Sequence, residues 1–362
     1  MRYENELFVV AKQVDKVMGN NLLSESVVRL VRSTEDSEEI RNICKILSDY
    51  TIHNELIEAD RKIFKDFNEK LLKLEGYRYV KGICNTGGSS EDNRNLDELL
   101  RDLNELIGLD NVKSKVNDLV VYQQVQKKRE SFGLTAEKTT LHLAFLGNPG
   151  TGKTTVARIV GRIYKQLGLL SKGHFVEVSR TDLIAGYQGQ TALKVKKVID
   201  RARGGVLFID EAYSITENEH SDSYGRECLT ELTKALEDYR DDLVVIVAGY
   251  TELMKQFFES NPGLKSRFNT FINFDDYNAE ELKSILISFV EKNQYTIDEK
   301  TLQKIQVLLS DVLEHKEKDF PNGRYVRNLY DDLVLRQAKR VIKLSNPSRE
   351  DLMTITEEDV VL

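Results

Sequence analysis

A parallel α/β sheet with helices on both faces, flanked by all-helical segments, is the fold class the sequence predicts, and three observations predict it. A buried apolar run, Leu141 to Leu146, passes through a glycine-rich turn into a segment with Val156, Ile159, Val160, Ile163 and Leu167 at helical spacing. A second run, Gly205-Val206-Leu207-Phe208-Ile209, shows no alternation and ends in Asp210-Glu211, as a central strand buried on both faces and ending at a ligand crevice does. Outside this stretch, residues 1–83 and 275–362 carry their apolar positions at helical spacing.

Composition sets the frame. At 362 residues the chain exceeds a typical single domain, so two or three units are expected. Hydrophobic residues at 40%, charged residues at 31% and only 4 prolines describe a helix-rich globular protein. A net charge of -7 and a pI near 5.5 disfavour nucleic acid as the main ligand. The 3 cysteines, Cys44, Cys84 and Cys228, are odd in number and far apart, giving neither a disulfide framework nor a zinc spacing. The 5 histidines are equally scattered, so no metal site of the protein's own is expected. Met1 to Glu6 lacks the basic start of a targeting segment, and no apolar run reaches membrane-spanning length. The expectation is a cytoplasmic protein without a membrane partner.

The glycine-rich turn carries the chemistry. Gly147-Asn148-Pro149-Gly150-Thr151-Gly152-Lys153-Thr154 is a full match to the phosphate-loop pattern, in the strand, loop and helix order that the pattern requires. Asn148 to Thr155 are therefore expected to cradle the phosphates of a nucleoside triphosphate, ATP in the family resemblance described below, with backbone NH groups at a helix start. Lys153 can reach the β- and γ-phosphates, and Thr154 offers a hydroxyl to Mg2+. Asp210 completes the Mg2+ shell, while Glu211, one residue on and aimed differently, is placed to polarise the attacking water.

Taken in order, residues 1–83 form a helical N-terminal domain read as a partner or client docking module. Leu7, Val10, Val14 and Met18, then Ile40, Ile43, Cys44 and Leu47, recur at helical spacing, and a helix over Asn54 to Leu74 puts Ile57, Ile63, Phe64, Phe67 and Leu71 on one face. Residues 84–95 are small and polar and read as a flexible linker. The large α/β ATPase domain spans 96–274, and Ile107-Gly108-Leu109, an apolar interruption between helical stretches, is its candidate for covering the base. Phe175 to Val178 and Leu243 to Ala248 supply further strands, and Phe271 to Phe274 a short one. Between the first two lies a loop with Tyr187 between glycines; residue chemistry alone favours its packing on its own domain. Residues 275–362 form a small helical lid, in which Arg324 and Arg327 share a helix face. That spacing fits two solvated arginines as well as a functional pair.

The order of these motifs resembles the AAA+ ATPases, in the branch with stage V sporulation protein K and the CbbX-like red-type Rubisco activases. It is carried by Gly147 to Thr155, Ser171-Lys172-Gly173-His174, Gly204 to Tyr213, Ala248-Gly249-Tyr250 and Asn261 to Phe268, and it covers the chain from about Leu96 onward. The resemblance implies a P-loop NTPase domain with a helical lid. It also implies a homo-oligomer, usually a hexameric ring, that uses ATP hydrolysis to pull a protein client into its pore. Arg267 falls at the arginine finger, Arg324 at the sensor 2 arginine and Tyr187 at the pore-loop aromatic. Two positions depart from the family: Tyr250 stands where many members have a sensor 1 Asn, and Gln188 follows Tyr187 where an apolar residue is common. The reading is an ATPase that remodels a protein client, like stage V sporulation protein K; the alternatives are red-type Rubisco activation or a nucleotide-gated scaffold with slow turnover.

Overall fold

Strand burial in the computed structural model follows the apolar runs. The structure describes residues 2–32, 36–53, 58–75, 94–136, 140–186, 189–216, 223–259 and 261–360. Strands β1 (Leu143–Gly147), β2 (Phe175–Val178), β3 (Val206–Ile209), β4 (Val244–Gly249) and β5 (Thr270–Phe274) form one sheet in the order β2-β3-β4-β1-β5. β1 runs parallel to β4 and to β5, and β2 runs parallel to β3. Every residue of β1, β3 and β4 is buried, so both faces of the sheet are covered there, whereas β2 and β5 alternate as edge strands do. The expected α/β class is the observed one.

The described residues fall into two compact units. The first holds α1 (Arg2–Met18), α2 (Leu22–Arg32), α3 (Asp36–His53) and α4 (Glu58–Glu75) with the β2 to β3 segment and the helix after it. The four helices bury Leu7, Val10, Val14, Leu23, Val27, Ile40, Ile43, Phe64, Phe67 and Leu71 in one core. Asp15 of α1 ties the next helix down, because its buried carboxylate accepts the amides of Leu23 (3.0 Å) and Ser24 (2.9 Å) at the start of α2. Cysteine number and spacing gave no disulfide framework, yet Cys44 is disulfide-bonded, while Cys228 is a buried free thiol.

The words Ser171 to His174 and Gly204-Gly205 find a structural explanation in this unit. The amides of Lys172 and Gly173 both donate to Gly204 O, and Val206 N donates to His174 O. The Asp242 carboxylate accepts the Ser171 amide and hydroxyl, both at 2.9 Å, and Gly204 N donates to Asp242 O. The turn before β2 is thereby knotted to the turn before β3, which fixes where β3 begins.

The second unit holds α5 (Leu96–Asn104), α6 (Asp110–Ser131), β1, α7 (Lys153–Gln166), β4 and β5, together with the C-terminal segment. In that segment α13 (Ala279–Lys292), α14 (Glu299–Glu314) and α15 (Gly323–Val341) pack around Leu282, Leu286, Val290, Ile305, Leu309, Phe320, Val326, Leu333 and Ile355. It is helical as expected, with one addition: the two-residue strands Thr296–Ile297 and Thr354–Ile355 pair in parallel.

Candidate nucleotide site

The phosphate loop leaves β1 and ends in α7, whose first residue is Lys153. No side chain caps α7, which leaves its first backbone NH groups turned toward the loop. The Lys153 ammonium is held over the loop by the carbonyls of Gly147 (2.8 Å) and Asn148 (2.7 Å). Thr151 is buried and donates its hydroxyl to Asn148 O at 2.8 Å, while Thr154 is half-buried. Gly150 has φ +74, and a Cβ there would stand 2.3 Å from Pro321 O and 2.8 Å from Arg324 N. A side chain at this position is excluded twice, by backbone conformation and by the lid.

The segment expected to cover the base lies against both loop and lid. Ile107, Gly108 and Leu109 are half-buried, and Gly108 and Leu109 are both left-handed, with φ of 60 and 63. A Cβ on Gly108 would meet Glu281 Oε1 at 2.3 Å and the Tyr277 ring at 3.3 Å. Tyr277 donates its hydroxyl to Thr151 O at 3.2 Å. Burial, with the nearby Glu281 adding to it, pushes its phenol up to about 12, which keeps the proton it donates.

The lid grips the loop through Asp276 and Asn322, side chains to which sequence reading gave no role. Asn148 Nδ2 donates to Asp276 Oδ1 (2.9 Å) and to Lys318 O (3.0 Å), and Gly323 N donates to Gly150 O (3.1 Å). Asp276 also accepts Asn322 Nδ2 (2.8 Å) and Lys316 Nζ (2.7 Å). Burial alone would raise the Asp276 pKa, but the hydrogen bonds from Lys316, Asn322 and Asn148 outweigh it and hold the carboxyl below its usual range. Asp276 and Tyr277 sit at the strand-to-helix junction between β5 and α13, where a polar residue beside an aromatic was the only signal in the sequence.

The remaining expected residues take these places. Glu211 is exposed and left-handed, with φ 50, and its carbonyl accepts Ser214 N at 2.9 Å as the chain enters the 3-10 turn Ala212–Ile215. A non-glycine residue at positive φ is uncommon and is held there by its surroundings, a pattern that clusters at functional sites. Asp210 directly follows β3 in the first unit, its amide donating to Val178 O at 3.1 Å. Arg267 follows the short helix Pro262–Lys265, half-buried, with Nη1 on Gly263 O at 2.7 Å. Arg324 is exposed on the first turn of α15, whereas Arg327 lays its guanidinium over the Phe289 ring at 5.2 Å. Tyr250 packs its ring 6.0 Å from that of Tyr213, and its carbonyl accepts Met254 N at 2.9 Å. Tyr187 and Gln188 lie outside the described residues, as does the expected linker over 84–93. Next to that loop, Lys194 donates to the carbonyls of Thr181 and Ile184, and burial lowers its pKa. No described helix is long and apolar enough to cross a membrane.

A model of the ATPase family associated with various cellular activities (AAA) matches residues 143–276, and a model of the AAA lid domain matches residues 278–362. The chain is 37% identical over 266 residues to stage V sporulation protein K of Bacillus subtilis, covering 73% of this chain and 82% of that protein. It is 42% identical over 272 residues to the chloroplastic ribulose bisphosphate carboxylase/oxygenase activase of Cyanidioschyzon merolae, covering 74% and 91%. To protein CbbX of Cereibacter sphaeroides it is 41% identical over 266 residues, covering 73% and 85%.

Proposed function

Because the chain belongs to the AAA+ ATPases, in the branch of stage V sporulation protein K and CbbX, we propose that its ATP hydrolysis drives a homo-oligomeric ring, a hexamer, that remodels a protein client by drawing a segment into the pore. The observation that carries the hydrolytic step is Glu211, an exposed carboxylate in left-handed backbone two residues beyond β3, which ends at Ile209 directly before Asp210. The domain plan that goes with it is a docking module over 1–83, a linker over 84–95, the ATPase domain over 96–274 and the lid over 275–362.

In this reading the loop amides and Lys153 bind the β- and γ-phosphates, and Ile107 and Gly108 cover the base. Thr154 and Asp210 hold Mg2+. A hydroxyl and a carboxylate are the hard oxygen donors that this ion takes. When bound, Mg2+ supplies charge neutralisation on the phosphates. Glu211 orients a water for in-line attack on the γ-phosphorus and accepts its proton as the bond to the β-phosphate oxygen breaks, leaving ADP and phosphate. Arg267 acts in trans on the neighbouring subunit's γ-phosphate, Arg324 acts from the lid, and Tyr187 grips the client. A second reading, favoured by the printed name of the chloroplastic relative from Cyanidioschyzon merolae, is activation of ribulose bisphosphate carboxylase/oxygenase.

The ring is tested by mixing. Lys153→Ala and Arg267→Ala proteins should each be nearly silent, since an arginine finger is worth roughly a thousandfold or more in turnover. Mixed rings should regain activity, because an intact phosphate loop can then sit beside an intact finger. Co-assembly without recovery would count against the trans assignment.

A further inference from the structure

Three parts of the second unit that are far apart in sequence meet at one carboxylate. Asp276 lies at the β5 to α13 junction, where the chain crosses from the sheet into the C-terminal helices. Its Oδ1 accepts Asn148 Nδ2 from the phosphate loop (2.9 Å) and Asn322 Nδ2 from the turn before α15 (2.8 Å). Its Oδ2 accepts Lys316 Nζ (2.7 Å).

Neither amide has donors to spare. The second proton of Asn148 Nδ2 goes to Lys318 O (3.0 Å), and that of Asn322 Nδ2 to Phe320 O (2.9 Å). Asn322 Oδ1 accepts Tyr277 N (2.9 Å), so this fully buried side chain is saturated. Its backbone is at φ 44 and ψ -118, a conformation that L-residues rarely adopt and that costs of order 1–3 kcal/mol unless the surroundings enforce it. The hydrogen bonds are what enforce it. The chain leaves Asn322 directly into α15, with Arg324 in its first turn, and Gly323 N donates to Gly150 O (3.1 Å) with no room for a Cβ on Gly150.

We propose that Asp276 is a positioning residue for ATP hydrolysis: its carboxylate joins the phosphate loop, through Asn148, to the lid turn, through Asn322, and so fixes where Arg324 stands relative to that loop. The inference rests on the nucleotide-site reading above. It assigns Asp276 and Asn322 a task separate from binding, with the Asn148 side chain as their contact on the phosphate loop. The loop amides and Lys153 retain ADP without the lid turn, but a cation that must meet developing charge loses its value when displaced by about an ångström. The carboxylate therefore acts on kcat more than on nucleotide affinity.

The test uses the full chain and compares the parent with Asp276→Asn, Asn322→Gly, the double variant and Lys153→Ala. It measures kcat and KM for ATP, Kd for ADP and the nucleotide-free melting temperature. Asn322→Gly is the informative change, because glycine accepts the positive φ and only the side-chain bonds are lost. Asp276→Asn and Asn322→Gly should each lower kcat about tenfold or more, equivalent to about 1.4 kcal/mol of barrier. ADP affinity should stay close to that of the parent even though the loss of buried hydrogen bonds lowers the melting temperature, and in kcat the double variant should be no worse than the poorer single one, because both cut the same link. The proposal is overturned if Asn322→Gly turns over at close to the parent rate, if ADP affinity falls in step with kcat, or if the two effects add. Turnover by Lys153→Ala would be a different failure, that of the nucleotide site itself.

Discussion

Glu211 offers a way to separate the cost of a site from its use. A non-glycine residue in the left-handed region costs roughly 1–2 kcal/mol, and Glu211 stands there at φ 50. Its side chain is exposed, so removing it forfeits little burial. Glycine relieves the strain but loses about 0.5–1 kcal/mol to the greater freedom of the unfolded chain. From the backbone terms the effect of Glu211→Gly is a stability change of about 0 to +1.5 kcal/mol, from which the loss of the side chain's own contacts subtracts, where an ordinary surface substitution by glycine would destabilise on the backbone terms alone. The variant should therefore melt close to the parent while losing turnover. Glu211→Gln keeps shape and strain but not the base; it should melt like the parent, bind ATP and hydrolyse about 100-fold to 10,000-fold more slowly. Differential scanning calorimetry and a steady-state phosphate-release assay read both quantities. Loss of more than about 1 kcal/mol in Glu211→Gly would refute the strain argument, since the left-handed backbone would then not be what the glutamate is paying to hold. Parent-like hydrolysis by Glu211→Gln would refute the role of the base.

Two further predictions concern the lid. The folded pKa of Tyr277 is raised from 10 to about 12, so the stability linked to its protonated phenol is complete below pH 10 and lost as pH rises through about 12. Tyr277→Phe should consequently differ from the parent by a constant amount between pH 7 and pH 9.5, about 1 kcal/mol for one hydrogen bond, when unfolding is followed in urea. A difference that shrinks across that range would mean the phenol titrates there and is not buried as described. Asp359, 2% exposed, accepts Arg340 Nε (3.1 Å) and Nη2 (3.0 Å) and the Thr356 amide (2.9 Å). Asp359→Ala should destabilise the lid by about 3 kcal/mol, because it strands a partly buried guanidinium. Hydrogen exchange in α15 that is unchanged in this variant would show the pair to be inert.

What the sequence disclosed and what it hid divide along a physical line. The phosphate loop, the strand ending at Asp210 and the helical ends were readable because each is a local pattern: a glycine spacing, an unbroken apolar run, a period near 3.6. The paired strands Thr296–Ile297 and Thr354–Ile355 were not, since two residues are too few to show an alternation. Glu211 at positive φ was equally invisible, because glutamate carries no preference for that region and only the turn imposes it. Cys44 is disulfide-bonded although no disulfide framework was read from the sequence; cysteine count and spacing alone do not specify one isolated bond.

The hardest part to read was the link between loop and lid, and the reason is separation in the chain. Asn148 meets Asp276 across 128 positions, and Asp276 meets Asn322 across 46. Each is a single polar residue without periodicity, so only the fold distinguishes them from solvated neighbours such as Asp275 or Asn328. The same separation gives the link its consequence. A contact within the loop could report only on the loop, whereas a carboxylate at the β5 to α13 junction, bonded to both sides, sets the orientation of the lid turn against the phosphate loop. A movement of the lid that pulls Asn322 from Asp276 leaves Asn148 bonded to Asp276 and to Lys318 O, and leaves Lys153 on the carbonyl of Asn148, so it costs the position of the lid turn and not the grip of the loop on phosphate.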